Sequence, residues 1–64
     1  MKRRKLLEHL RAHNCVIEGE GKKHTRVRNS STGAKSFVLR HKEIKNDLAR
    51  EICRQLGIPV PSGG

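Results

Sequence analysis

Sixty-four residues hold one domain at most, and a chain this short buries only about 60% of its unfolded surface. Fifteen Lys and Arg stand against six acids, a net charge of +9. That balance points to an anionic partner: nucleic acid first, then an anionic membrane surface or an acidic protein. Cys15 and Cys53 show neither a CxxC nor metal-ligand spacing, and no long apolar run marks a leader or a membrane span, so a cytoplasmic domain is expected.

Residues 2–13 read as a helix with a stripe of Leu6, Leu7, Leu10 and Ala12, closed by His13 and by Asn14 in the left-handed region. Alone such a segment is marginal in water, so it needs a sheet to lie on. Cys15-Val16-Ile17 is a short β-prone run, and the glycines of Glu18-Gly19-Glu20-Gly21 suit a reversal. Lys23–Arg28 alternates. Lys23, Thr25 and Val27 take one face, with Val27 marking the core, and His24, Arg26 and Arg28 take the wet face.

Asn29–Gly33 is a loop by its turn residues. Ala34–Arg40 is a third strand centred on Phe37-Val38-Leu39, with Phe37 and Leu39 expected on the core face beside Thr25 and Val27. A connection over 40–45 leads to a second helix with Asn46 as N-cap and Asp47 in the first turn. Leu48, Ala49, Ile52, Cys53 and Leu56 follow at helical spacing, and Gly57 and Pro59 end it. Residues 1–59 are expected to form the single domain, and 60–64 a frayed tail. Helix, three strands, helix with short loops predicts an α+β fold. It is an antiparallel three-stranded sheet with both helices on one apolar face.

The basic residues are not a tail. Five fall in the first eleven positions, four between Lys22 and Arg28, and four between Lys35 and Lys45. A charged face built from several segments suits a phosphate backbone; a merely solvated basic surface is the bland alternative. His24 follows a glycine turn and two lysines, with Arg26 and Arg28 on its own face. Histidine exchanges protons near neutrality, and cations beside it hold phosphates. Cutting RNA through its own 2′-hydroxyl needs a base, a positioned phosphate and stabilised charge, and no metal. The competing reading is a surface histidine that only binds.

His41 is a second proton-transfer candidate, though the expected register puts it on the face opposite His24. His9 and His13 have a metal-compatible spacing with no third ligand, and the two cysteines read as small core residues. Phe37, the one aromatic, is expected to be buried, so stacked bases are not expected to be the mode of RNA recognition.

Arg4-Lys5-Leu6-Leu7 with Leu10, the turn Glu20–Thr25, Asn29 with Thr32-Gly33, Arg40–Ile44 and Ile52–Ile58 together resemble the HicA family of toxins. These are the RNA-cleaving halves of toxin–antitoxin pairs. The resemblance covers about residues 3–59. It implies a fold like the double-stranded RNA-binding domain, endoribonuclease activity on messenger RNA without a cofactor, and a HicB-type antitoxin that masks the active histidine. The family's histidine follows the glycine turn, which here makes it His24. On this reading Lys22, Lys23, Arg26 and Arg28 bind phosphate, and Gly21 lets the backbone approach closely. Many members have Gly-Ser-His at the turn, a proline where Leu39 stands, and a tryptophan near Cys15. None of these departures touches the histidine. The rivals are a non-catalytic RNA-binding module of the same fold, and a DNA-binding or protein-interaction element.

Overall fold

The computed structural model describes residues 1–61 and has the expected order of elements. Helix α1 spans Arg3–Ala12, strands β1, β2 and β3 span Cys15–Glu20, His24–Asn29 and Lys35–Leu39, and helix α2 spans Asn46–Leu56. The strands form one antiparallel sheet in the order β1-β2-β3. This is the α-β-β-β-α arrangement of double-stranded RNA-binding-like domains. The tail expected at 60–64 lies outside the described residues from 62 onward.

One face of the sheet is covered. Cys15, Val27 and Val38 pack with Leu6 and Leu10 of α1 and with Ala49, Ile52, Cys53 and Leu56 of α2. Three polar side chains share that inward face, and all find partners. Thr25 binds Arg3 and Glu20, Asn29 donates to the Leu56 carbonyl, and Ser36 donates to Gln55. The Asn29 bond satisfies a carbonyl in the last turn of α2, where the helix leaves its own acceptors unpaired. Asn14 at φ 66° and Gly57 at φ 71° end the two helices in the left-handed region, as their residue types predict.

Two expectations change. Strand β1 runs to Glu20, with a bulge between Ile17 and Gly19, so the reversal is made by Gly21–Lys23 instead of starting at Glu18. The N-cap of α2 is Lys45, without a side-chain cap, and Asn46 is the first helical residue.

The larger correction concerns β3. Thr25 pairs with Val38 and Val27 with Ser36, while His24 pairs with Leu39 and Arg26 with Phe37. Val38 and Ser36 therefore point inward, and Phe37 stands 59% exposed on the open face with His24. The loop sets this phase: the Asn29 N–H donates to the Ala34 carbonyl and the Gly33 N–H to the Asn29 carbonyl. A slip of one residue exchanges the two faces of a strand, and the expected register was off by one.

Candidate active site on the open sheet face

His24 is the first residue of β2 and is exposed on the uncovered face. The turn before it is braced twice. The Gly21 N–H donates to the His24 carbonyl at 2.8 Å, and Arg40 Nη1 donates to the Gly21 carbonyl at 3.1 Å. A Cβ on residue 21 would lie 3.4 Å from the His24 carbonyl oxygen, so the turn packs closely without demanding a left-handed glycine. Lys22 and Lys23 are thrown outward, and neither they nor Arg26 form an ion pair with an acid among the described residues.

Arg26 is exposed on the same face as His24, and its guanidinium lies over Gly19. A Cβ there would come within 3.3 Å of Arg26 Nη2, so the bare glycine of the bulge leaves room for it. Arg28 is further from the turn and is engaged, its Nε donating to Glu18 Oε2 at 2.8 Å.

The corrected register also moves His41. With Phe37 and Leu39 on the open face, continued alternation brings residue 41 to that face. Lys22, Lys23, His24, Leu39, Arg40 and His41 line one shallow depression of about 430 Å³. Two imidazoles and three cations thus converge at one end of the sheet. A larger basic groove of about 900 Å³ runs beside it, between α1 and the connection after β3. Arg4, Arg11 and Lys42 line it, and Arg40 belongs to both depressions.

Three residues gain roles here that sequence reading had not assigned. Arg40 braces the turn. Phe37 sets its ring edge-to-face against His24, with centroids 5.9 Å apart. Arg3 lies behind the site: Nη2 donates to Thr25 Oγ1 at 2.6 Å and Nε to the Leu39 carbonyl at 3.1 Å. Thr25 follows His24 in the chain and Leu39 faces it across the sheet, so one guanidinium ties both strands at the register position of the histidine. No signal short of the register could have exposed the Phe37 contact, whereas Arg3 opens an amphipathic helix and hides among four consecutive basic residues.

The remaining candidates are structural. His9 Nε2 donates to the Pro59 carbonyl and His13 Nδ1 to the His9 carbonyl, and no cluster fit for a metal occurs among the described residues. Both cysteines are free and buried. Burial pushes both thiols up from their ordinary value, with Cys15 adding to the effect at Cys53, so neither is an activated nucleophile. No helix among the described residues is long and apolar enough to cross a membrane.

The fold and site together define a small basic α+β domain that presents a histidine among cations on an open sheet. The family model of the HicA toxin of bacterial toxin–antitoxin systems matches residues 3–58. The chain belongs to the HicA toxin family, and its role is that of the toxin in a toxin–antitoxin system. No curated protein and no solved structure matches the chain significantly.

Proposed function

We propose that this toxin is a metal-independent endoribonuclease of the cytoplasm. It cleaves messenger RNA, with His24 as the catalytic residue, and a HicB-type antitoxin neutralises it by covering that histidine. The observation that carries the reading is the setting of His24: exposed, beside a braced turn, and sharing one depression with three cations and His41.

The chemistry needs only groups present in the chain. His24 takes the proton of a ribose 2′-hydroxyl as that oxygen attacks the adjacent phosphorus. The bond from phosphorus to the 5′-oxygen breaks, and the departing oxygen takes a proton. In this reading the proton comes from His41, which lines the same depression, or from water. Lys22 and Lys23 bind the scissile phosphate and stabilise its developing charge; Arg26 and then Arg28 hold the strand along the sheet. Holding the strand in place contributes by orientation alone, so a single histidine suffices for modest turnover.

The test is cleavage of a long single-stranded RNA in EDTA by wild type and by His24→Ala. Wild type is expected to cut. The variant should lose about 100-fold or more, the scale of a general acid–base group. Equal cutting by both would remove His24 from the chemistry. A folded wild type that binds RNA without cutting it would mark a non-catalytic binding module.

A further inference from the structure

The largest apolar side chain on the surface has no use in the core or in the cleavage step. Phe37 is 59% exposed, on a chain that has no other aromatic ring of the Phe, Tyr or Trp type. Arg26 lies directly across from it, Lys35 and Leu39 flank it along β3, and Lys35 in turn faces Arg28. The ring therefore has two cations beside it in the register, Arg26 and Lys35, that have no acidic partner among the described residues, while Arg28 beyond them is paired with Glu18, and it lies 5.9 Å from the imidazole of His24.

That frame selects the occupant. An apolar protein surface laid over Phe37 would strip water from the surrounding cations without replacing it. A nucleic acid strand meets both needs at once, a base for the ring and phosphates for Arg26 and Lys35. Bases stack on an aromatic face whatever their identity.

We propose that Phe37 is a nucleobase-stacking residue. It holds a base of the RNA strand next to the nucleotide whose phosphate lies at His24, and so fixes where the strand sits relative to the histidine. The placement of the strand rests on His24 as the cleavage centre; the stacking itself is read by binding alone. The contact is indifferent to sequence, so it positions the strand while leaving the choice of base open.

The chain has no Trp, so Phe37→Trp installs a single indole at the site. The experiment uses the His24→Ala background, in which binding is measured without cutting. The probes are a short single-stranded RNA and the same oligomer made abasic. RNA is expected to quench the indole emission and the abasic oligomer to leave most of it. Phe37→Ala should weaken RNA binding by on the order of 10- to 100-fold. Phe37→Trp should restore affinity, and Phe37→Leu, which keeps apolar area without a π-face, should not. Equal RNA affinity with Phe37 intact and after Phe37→Ala, or equal quenching by both oligomers, overturns the proposal. So does a loss of antitoxin affinity with RNA affinity unchanged, which would assign the ring to a protein interface. Failure of wild type to cut RNA would fall on the His24 reading and leave these binding results standing.

Discussion

Arg3 and Arg4 are neighbours in one basic run, yet the fold separates their roles. The Arg3 side chain is 22% exposed and bonds Thr25, Leu39 and Glu20, whereas Arg4 is exposed. Removing Arg3 leaves the fully buried Thr25 with only Glu20 and the Leu39 carbonyl without its donor. Arg3→Ala should cost about 1–3 kcal/mol in chemical denaturation, the scale of losing a partner from part-buried polar groups. Arg4→Ala should stay within about 0.5 kcal/mol of wild type. Arg3→Lys keeps the charge but lacks the planar fork, so it should recover part of the loss. Equal stability of the Arg3→Ala and Arg4→Ala proteins would show that the tie behind His24 contributes nothing. At this scale His24 and its cations stand out in the sequence as candidates, because glycine, lysine and histidine at a turn are chemical signals in themselves. The sequence could not announce Arg3, whose role depends on strands more than twenty residues away.

Among the elements, the helices and β2 were readable together with their faces, whereas β3 was readable in its span and not in its phase. Leu6 and Leu10 in α1, and Ala49, Ile52, Cys53 and Leu56 in α2, repeat at a spacing only a helix brings to one side. In β2 the alternation of charge and Val27 leaves one choice of face. Strand β3 offers Phe37-Val38-Leu39, three apolar residues in a row, so either phase buries something. Size favours Phe37 inside. Hydrogen bonds across the Asn29–Ala34 loop favour Val38 instead, and backbone pairing decides. The same correction brings His41 toward His24, so the site is richer than the alternation of a single strand implies.

The segment after β3 is held by a second device. Lys2 and Glu43 form an isolated bridge, and Lys2 Nζ lies 2.7 Å from Glu43 Oε1. The hydrogen bond from Lys2 holds the Glu43 carboxyl below its ordinary value, with the charge of Lys2 acting the same way. The folded value lies below the unfolded one. The contribution is therefore present above the ordinary carboxylate range and lost as pH falls through the lowered folded value. Glu43→Gln should melt slightly below wild type at neutral pH, and the two curves should converge in acid. A gap in Tm that persists unchanged at low pH would mean that the glutamine acts through packing and not through charge. Both groups are exposed, so added salt should also narrow the gap.

For the whole molecule, the question is whether a charge of +9 acts as a diffuse cloud or through one end. The fold argues for one end. Lys22, Lys23 and Arg40 line one depression with His24, and Arg26 and Arg28 follow it along the open face of β2, while α2 covers the opposite face and carries Arg54 on its outer surface. Each phosphate neutralised on a single strand releases counterions and adds about −0.7 to the slope of log affinity against log salt. Four phosphate contacts on the open face, those proposed for Lys22, Lys23, Arg26 and Arg28, therefore give a slope of roughly −3. In the His24→Ala background, Lys22→Ala should make the slope shallower by about 0.7 and weaken binding at low salt more than at high salt. Arg54→Ala should leave the slope as it was, although it removes the same formal charge. Binding isotherms for a short single-stranded RNA at several salt concentrations measure both. If the two substitutions reduce the slope equally, the strand is not confined to the face that carries His24. The cations around the histidine would then be part of a general attraction, and the positioned phosphate that the cleavage mechanism requires would have no support from binding.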